Sequence, residues 1–406
     1  MGFKDSNIIY IGEIPSDWQV VKFKRIAKSG MGETILKERL EEVGFPVYSA
    51  TEGDHIFGYL ASPSTILNRG DLIIPARGNS IGHVKLVTNP CTSTQTTIYS
   101  KIKGINSKFL YYQAIGLKEW WFEYDNTAIP QITVNQVQNN PLLLPSDIVQ
   151  NEVVKKLDYH VDKINQLIIN QEQQIEKLKE YKQSLISEVV TKGLDPNVEF
   201  KESGIEWIGK IPAHWKMVFL SSIFYEHKLK NANLVNTNLL SLSYGNIVNK
   251  DINTRDGLLP DSFEGYNIVS NNDIVLRLTD LQNDKKSLRV GLCTQEGIIT
   301  SAYITIRAKV DLNSYYFHKL LHSYDINKVF YGMGSGVRQS MGFNEIRKIP
   351  LLLPPKNEMK ILSERVQETV CKIDALIKLK ESKLEKLIDY KKSLIYEYVT
   401  GKKEVS

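Results

Sequence analysis

The sequence predicts an α+β protein in which two globular domains alternate with two long helices. The helices are expected to pair as an antiparallel coiled coil, giving a pseudo-twofold internal repeat. Three segments that occur twice support this fold class. With their second copies, they are Ile11–Trp18 with Ile208–Trp215, Pro141–Pro145 with Pro350–Pro354, and Lys177–Thr191 with Lys386–Thr400. Because a period of about 200 residues is too long for a solenoid, the repeat indicates two domains, each followed by a helix.

The composition is that of an ordinary globular protein with room for two domains. The chain has 406 residues, of which 42% are hydrophobic and 24% charged, and its formal net charge is +5. That charge permits DNA binding without requiring it. No apolar run approaches the roughly 20 residues that span a bilayer, and the first residues lack the apolar core of a signal peptide. Three widely separated cysteines argue against a disulfide framework, so we expect a cytoplasmic protein.

Two regions rich in short β runs alternate with two helical regions. Asp71–Ile74 and Asp273–Leu276 are typical of the β runs, which Gly, Asn, Asp and Pro interrupt. Each region also has an aromatic-rich segment that predicts a short helix, at 108–124 and 314–330. The predicted division is domain 1 at 1–150, a central helix at 151–196, domain 2 at 197–355 and a second helix at 356–406.

A heptad pattern predicts the two long helices. Within 152–191 apolar side chains recur at steps of three and four residues, and the second copy repeats the pattern. Polar residues interrupt the seam at matched positions, where they cost stability but can fix the register. These are Gln171 with Lys380 and Lys182 with Lys391. The predicted helix–helix interface consists of Val161, Ile164, Ile168, Ile175, Leu178, Leu185, Val370, Ile373, Ile377, Leu384, Leu387 and Leu394.

The helices are also expected to set a distance. Gly193 and Gly401 follow the last seam positions and predict where the helices end. Two paired helices of about 35–40 residues would form a rod of roughly 50–60 Å at ~1.5 Å per residue. Antiparallel pairing would place one domain near each end of that rod. Two DNA sites about one and a half helical turns apart would then be within reach.

The order of the repeated motifs is specific. Twice, the chain reads Ile-Gly-x-Ile-Pro-x-x-Trp, then a domain that closes on Leu-Leu-Leu-Pro, then a helix that ends Tyr-Lys-x-Ser-Leu-Ile. In this it resembles the specificity (S) subunits of type I restriction-modification systems over essentially its whole length. Other family-like segments are 70–73 with 272–275, and 129–131 with 335–339. The first copy lacks the Gly-x-Arg-Gln form of Gly336–Gln339, so residues do not transfer directly from one domain to the other.

The resemblance implies a division of labour. Two α/β target recognition domains would each read one half of a bipartite DNA target, while the helices set the spacing and dock two methyltransferase (M) subunits. Those M subunits would bind S-adenosylmethionine and methylate adenine, and restriction (R) subunits would cleave unmethylated DNA with ATP and Mg²⁺. The expected partners are therefore double-stranded DNA, two M subunits and R subunits. The chain itself would be a non-catalytic subunit that binds no cofactor.

Polar loops near the β runs are the candidates for DNA contact, because Arg, Lys, Asn, Gln, Ser and Thr side chains read base edges or hold phosphates. In domain 1 the candidates are Arg77, Asn79, Ser80, Lys85 and Gln95. In domain 2 they are Arg277, Thr279, Gln282, Lys285, Lys286, Arg289, Arg338 and Gln339.

Motifs for catalysis by this chain alone are missing from the sequence. Asn89-Pro90-Cys91-Thr92 lacks the second proline and the aromatic residue of an adenine methyltransferase loop, and no phosphate-binding loop occurs. His318 and His322 have the helical spacing of a zinc pair, but the glutamate of the His-Glu-x-x-His motif and a third ligand are missing. We therefore predict no catalytic residue and no metal site.

A second class of function stays open at the level of sequence. The chain could be a non-catalytic coiled-coil scaffold or adaptor whose domains bind proteins rather than DNA. The middle of each domain differs between the two copies, whereas the surrounding frame repeats. This favours recognition, since two different half-sites need two different readers.

Overall fold

The computed structural model describes residues 2–51, 53–117, 130–252, 262–281, 288–333 and 340–404. The chain divides into two compact units. Unit 1 consists of Met1–Glu172 with Glu381–Ser406, and unit 2 of Gln173–Lys380. Each unit combines β-sheets with helices, so the predicted α+β class is confirmed.

Unit 1 is built around a four-stranded antiparallel sheet with the strand order β4-β10-β7-β8 and a three-stranded sheet with the order β6-β5-β9. Its strands are β1 (Phe3–Asp5), β2 (Glu13–Pro15), β3 (Gln19–Lys22), β4 (Ala27–Met31), β5 (Phe45–Tyr48), β6 (Ile56–Leu60), β7 (Leu72–Pro75), β8 (Lys85–Leu86), β9 (Thr92–Ser93), β10 (Thr97–Ile102) and β11 (Pro141–Leu144). Its helices are α1 (Ser107–Gly116), α2 (Val134–Asn139) and the first part of α3 (Asp147–Lys192).

Unit 2 repeats the main sheet in the equivalent order, β15-β22-β19-β20. Its strands are β12 (Phe200–Glu202), β13 (Lys210–Pro212), β14 (Lys216–Phe219), β15 (Phe224–Glu226), β16 (Leu240–Ser243), β17 (Asn246–Asn249), β18 (Asn267–Val269), β19 (Ile274–Leu276), β20 (Val290–Leu292), β21 (Gly297–Ile299), β22 (Ile304–Ala308) and β23 (Pro350–Leu353). Its helices are the second part of α3, α4 (Leu220–Ile223), α5 (Ser314–Ile326), α6 (Phe343–Ile346) and the first part of α7 (Lys356–Val399).

The short aromatic-rich helices start at matched asparagine caps. The side chain of Asn106 accepts from backbone N–H groups at the start of α1, and that of Asn313 does the same at α5. The predicted end of the first of these helices lies in 118–129, outside the described residues. The second ends at Ile326, four residues earlier than its predicted end at 330.

A repeated turn introduces the central strand of each main sheet. Gly70 and Asn272 hold matching places in this turn, with φ of +95° and +73°. Glycine and asparagine tolerate this left-handed conformation better than other residues. The carboxylates of Asp71 and Asp273 then accept from the backbone N–H three residues earlier, at 2.9 and 2.8 Å. The family-like segments 70–73 and 272–275 are therefore a structural turn followed by the first residues of β7 and β19.

The two leucine–proline clusters form strands. β11 pairs with β3, and β23 pairs with β14, so each cluster lies against the chain that directly follows the repeated tryptophan. Leu142, Leu143, Leu351 and Leu352 are fully buried. This pairing connects the start of each domain to the residues that lead into its long helix.

Each repeated tryptophan motif covers the end of the long helix from the other copy. In unit 1, a Cβ at Gly401 would lie 2.5 Å from the ring of Pro15 and 3.2 Å from Trp18. In unit 2, a Cβ at Gly193 would lie 3.4 Å from Trp215. The apolar residues just before these glycines belong to the unit cores. They are Leu394, Ile395, Tyr398 and Val399 in unit 1, and Ile186, Val189 and Val190 in unit 2.

Polar contacts between α3 and α7 recur at matched positions in the two units. In unit 2, Lys182 Nζ lies 2.6 Å from Asp374 Oδ1, and Lys380 donates to Gln174 Oε1. The α7 partner number falls as the α3 number rises, so the pairing is antiparallel. In unit 1, Lys391 Nζ donates to Asn165 Oδ1 at 2.7 Å. Both pairs obey the 209-residue offset, but unit 1 carries an amide where unit 2 carries a carboxylate.

The predicted seam positions on these helices are all at least partly shielded from solvent. Six are buried and six are half-buried. The buried six are Val161, Ile164, Ile175, Ile373, Ile377 and Leu394, and the half-buried six are Ile168, Leu178, Leu185, Val370, Leu384 and Leu387. α3 has 46 residues and α7 has 44, both longer than predicted.

Two histidines lie on α5 in unit 2, of which His318 is buried and His322 is half-buried. Burial holds the pKa of His318 well below its ordinary value, and nearby Lys319 acts in the same direction. The pKa of His322 falls to about 4, because of burial first and then of the neighbouring charges of Lys319 and Lys182. In the described part of the chain, no three His, Cys, Asp or Glu side chains are grouped to hold a metal ion.

The lysine–amide pair in unit 1 can be converted into its unit 2 counterpart. Burial lowers the pKa of Lys391, and its partner Asn165 offers no charge. We expect Asn165→Asp to stabilise unit 1 by about 0.5 kcal/mol at pH 7, the scale of a partly exposed ion pair. Urea unfolding at pH 7 and pH 3 measures this. The gain should vanish at pH 3, because a carboxylate whose pKa is depressed by folding loses its contribution as pH falls.

The matched control for that change is Asp374→Asn, which makes unit 2 resemble unit 1. It should lower stability by a similar amount at pH 7 and have little effect at pH 3. A gain from Asn165→Asp that persists at pH 3 would contradict the electrostatic explanation.

The two histidines of α5 predict a pH dependence for unit 2. The unfolded chain binds protons near the ordinary pKa of 6.5, whereas folded His322 binds one only near pH 4. Stability should therefore fall as pH drops below 6.5, by up to about 1.4 kcal/mol per pH unit for each histidine. His322→Ile, which copies the residue at matched position 115 of unit 1, should reduce that loss.

Urea unfolding at pH 7 and pH 5 tests the pH dependence. His55→Gln, which alters an exposed histidine of unit 1, is the control and should leave the pH profile as it is. Identical pH profiles for wild type and His322→Ile would refute the assignment to this side chain.

Candidate nucleic-acid interface

In unit 1, the loop after β7 is paired with the segment that leads into α2. Ile132 N–H donates to Ala76 O at 2.9 Å, and Gly78 N–H donates to Pro130 O at 3.0 Å. Between these two bonds, Arg77 and Gln131 face each other as an isolated antiparallel β-bridge, and both residues are exposed. A cation and an amide therefore lie side by side on a loop fixed by backbone hydrogen bonds.

Unit 2 builds the equivalent loop after β19. Met341 N–H donates to Leu278 O at 2.8 Å, which matches the bond between Ile132 and Ala76 in unit 1. Arg277 directly follows β19 and precedes Leu278, whereas Arg77 of unit 1 comes after Ala76, and Arg277 and Thr279 are half-buried. Leu278 is buried, so the loop has an inner anchor and outer polar residues.

Two of the predicted contacts in unit 1 are corrected by the structure. Ser80 is buried and its hydroxyl donates to Ala50 O at 2.8 Å. Lys85 is only 6% exposed, and its ammonium donates to Thr51 O at 2.8 Å and to Gly53 O. Burial lowers the pKa of Lys85. Both side chains hold the turn between β5 and β6 and do not face solvent in this conformation.

The polar stretch around Gln95 is part of a network of side-chain hydrogen bonds. Gln95 Oε1 accepts from Ile35 N–H at 3.4 Å, and the Gln95 side chain is half-buried. Next to it, the hydroxyls of Thr94 and Thr96 lie 2.7 Å apart, and both contact the Ser49 hydroxyl at 3.3 Å. Sequence reasoning did not single out Ser49, because nothing in its local pattern shows that it meets residues 45 positions away.

Arg289 is the clearest correction in unit 2. Its side chain is 0% exposed, and its guanidinium donates to the backbone carbonyls of Arg277 and Thr279 at 3.1 and 2.8 Å. A buried cation with these partners cannot face a duplex in this conformation. The prediction of direct DNA contact by Arg289 is therefore wrong for this conformation, and the residue supports the loop instead.

Several predicted contact residues cannot be placed. The side chain of Asn79 is outside the described part of the structure, although its backbone forms a short turn after Arg77. The whole residues that lie outside the described ranges are Gln282, Lys285, Lys286, Arg338 and Gln339. Their contact with DNA stays a prediction.

The geometry therefore offers two matched loops, one in each unit, and each has an arginine near its start, although Arg77 and Arg277 do not hold equivalent positions. Such loops suit the reading of base edges, for which arginine is the side chain most often used at guanine. Within the described residues, no helix is both long enough and apolar enough to cross a membrane.

Comparisons with known proteins agree with these features. The family model described as the type I restriction modification DNA specificity domain matches residues 15–177. The type I restriction enzyme MjaVIII specificity subunit of Methanocaldococcus jannaschii is 25% identical, over 96% of this chain and 93% of the relative. The putative type I restriction enzyme MjaX specificity subunit of the same organism is 24% identical, over 97% of this chain and 95% of the relative.

A solved structure shares the fold. It is described as the structural basis underlying complex assembly and conformational transition of the type I R-M system, and it matches with a TM-score of 0.67 at 13% identity. The match covers 96% of this chain and 99% of the other. With the duplicated motifs and the two matched loops, these likenesses favour DNA recognition over a protein-binding scaffold. Residues 15–177 match the type I DNA specificity domain, and over nearly its whole length the chain is similar to specificity subunits of type I restriction enzymes, whose role is to recognise a DNA sequence.

Proposed function

We propose that each unit of this specificity subunit reads one half of a bipartite DNA target. The observation that carries the proposal is the pair of matched loops after β7 and β19, which carry Arg77 and Arg277 near their starts. Each follows the central strand of its sheet and is braced by a second segment, at Ile132 or Met341. The loops carry different side chains after the arginine, so the two half-sites are expected to differ in sequence.

The long helices set the number of base pairs between the half-sites. α3 and α7 each contribute to both units, so any change in their length alters both units together. With 46 residues, α3 alone is about 69 Å long at ~1.5 Å per residue. Polar contacts such as Lys182 with Asp374 favour one register of the helices over its neighbours.

Two methyltransferase subunits dock on exposed apolar residues beside the helix seam. Leu167 and Tyr390 in unit 1 are 48% and 54% exposed, and Leu376 and Tyr181 in unit 2 are 42% and 56% exposed. The leucines and the tyrosines are related by the 209-residue offset, and each precedes a seam position by one residue. Two like patches suit two copies of one partner.

Catalysis belongs to the partner subunits in this proposal. The M subunits supply S-adenosylmethionine and the adenine-methylating site, and the R subunits supply ATP- and Mg²⁺-dependent cleavage. What supports this is the sequence, which lacks both a methyltransferase loop and a phosphate-binding loop. The chain then contributes recognition and assembly, in the cytoplasm where DNA and these partners are present.

Methylome sequencing of a host with and without this chain, together with its M subunit, tests the proposal. Adenine methylation should appear at one split motif only when the chain is present.

Arg77→Ala should relax one half of that motif and Arg277→Ala the other, each at a cost of about 1–3 kcal/mol if a bidentate base contact is lost. Lys309→Met, which removes an exposed cation of unit 2, is the control. Absence of any split motif with the wild-type chain would reject the proposed function.

The spacing role predicts the effect of shortening both helices. Deleting 170–176 and 379–385 removes one matched heptad from each, or about 10 Å at ~1.5 Å per residue. The gap between half-sites should shrink by about three base pairs at ~3.4 Å each. Deleting only one of the heptads should instead disrupt pairing and abolish methylation. A methylated motif with its original gap after the double deletion would contradict the spacing role.

The docking patches predict a change in stoichiometry. Leu376→Lys with Tyr181→Lys should reduce the number of bound M subunits from two to one, because charge on the patch of unit 2 opposes burial against a partner. Leu167→Lys with Tyr390→Lys should have the same effect through unit 1, and the four changes together should prevent binding. Native mass spectrometry counts the subunits. Two bound M subunits after all four changes would rule out these patches.

A further inference from the structure

The buried guanidinium of Arg289 is the centre of the loop that begins at Arg277. Arg289 directly precedes β20, which pairs with β19, and the loop continues from the end of β19. Its Nη1 donates to Arg277 O at 3.1 Å and to Thr279 O at 2.8 Å, and its Nη2 donates to Asp280 O at 3.4 Å. Three carbonyl groups of one short loop thus converge on one side chain.

The loop needs that cation to keep its shape. Asp280 has a φ of +55°, so the backbone turns in the left-handed region at a residue other than glycine. This conformation costs free energy, which the surrounding contacts must offset. Carbonyl oxygens that point at one another are unfavourable without a shared donor, and the planar fork of arginine supplies several N–H groups at once. Lysine cannot reproduce that arrangement.

The guanidinium of Arg289 is also held by a ring of unit 2. Tyr331 accepts from Arg289 Nε at 3.2 Å, and its ring centroid lies 5.3 Å from the guanidinium carbon. The carboxylate of Asp325, 1% exposed, accepts from the backbone N–H of Arg289 at 2.6 Å and so fixes the backbone from which the side chain extends. A buried cation needs such hydrogen bonds, because it has lost its contact with water. These contacts hold the guanidinium inside the unit.

The loop presents its residues in two directions. Leu278 and Leu281 are buried and anchor it from below, whereas Arg277, Thr279 and Asp280 are half-buried. A shift of the carbonyl groups that Arg289 holds would also move the outer side chains. Unit 1 fixes its matched loop differently, through the bond from Gly78 N–H to Pro130 O.

We propose that Arg289 is a specificity-determining positioning residue for the half-site read by unit 2. It acts by holding the backbone of 277–280, so that Arg277 and Thr279 meet the base edges in one fixed arrangement, and it does not itself touch DNA. The inference rests on the proposed function, and it adds a residue that determines specificity from inside the fold.

The test uses Arg289→Lys and Arg289→Met in the full chain assembled with its M subunit. Discrimination against base changes in the unit 2 half-site should fall at least tenfold in both variants, and the other half-site should be read as before. The slope of log Kd against log salt should not change, because no phosphate contact is removed. A slope reduced by about one, with discrimination retained, would identify a phosphate contact and overturn the proposal.

Hydrogen exchange of the free chain separates loop positioning from other effects. The amides of Arg277 and Met341, which are bonded to Arg289 O and Leu278 O, should exchange faster in both variants. Lys309→Met removes an exposed cation of the same unit and should change neither exchange nor discrimination. Unaltered protection together with unaltered discrimination in the Arg289 variants would overturn the proposal.

A milder variant covers the case in which unit 2 fails to fold without Arg289. Tyr331→Phe removes only the hydroxyl that accepts from Nε, and it should relax the same half-site by a smaller factor. If Arg289→Met is unfolded and Tyr331→Phe still discriminates fully against base changes in the unit 2 half-site, Arg289 contributes to stability alone and the proposal is wrong. A wild-type complex that reads no split target would count against the proposed function instead, which keeps the two outcomes apart.

Discussion

Neither copy of the repeat completes its own hydrophobic core. The core of unit 1 includes Leu394 and Tyr398 from the end of α7, and that of unit 2 includes Ile186 and Val190 from the end of α3. Each fully buried side chain of this size contributes roughly 1.5–3 kcal/mol. The repeated tryptophan and the glycine after each helix form the contact at which this exchange takes place. The other features, including the reading loops, depend on cores completed in this way.

The frame of this fold could be predicted from the sequence because it is periodic and repeated. Heptad spacing indicated the long helices, and Gly193 and Gly401 do mark their ends, with φ of +78° and +72°. The helices begin before the periodic region, at Asp147 and Lys356, because their first turns pack into the unit cores, as Val153 and Met359 do. The strand pairing of the leucine clusters could not be predicted, because the sequence of a four-residue apolar run does not indicate which strand it pairs with.

The candidate site was harder to predict, and the errors share one cause. Arg289 and Lys85 lie near polar loops and were taken as DNA contacts, yet both are buried. Loops lack the periodicity that separates an inner from an outer face, so burial there cannot be deduced from spacing. A local signal did exist. Lys85 lies within Val84–Val87, and Arg289 directly precedes Val290. A cation within or beside an apolar run can be buried with its run, and it is then hydrogen-bonded inside the protein.

The exchange of helix ends also affects the order in which the units can form during synthesis. Unit 2 is one continuous stretch, Gln173–Lys380, whereas unit 1 needs residues after 381 to close its core. Domains usually fold in the order in which they leave the ribosome. Here the order is inverted. Unit 1 is translated first, but its core cannot close until α7 has emerged, and until then the surface around Trp18 stays uncovered. A truncated product that lacks the end of α7 would then expose Trp18 and its neighbours, which marks it for proteolysis or aggregation.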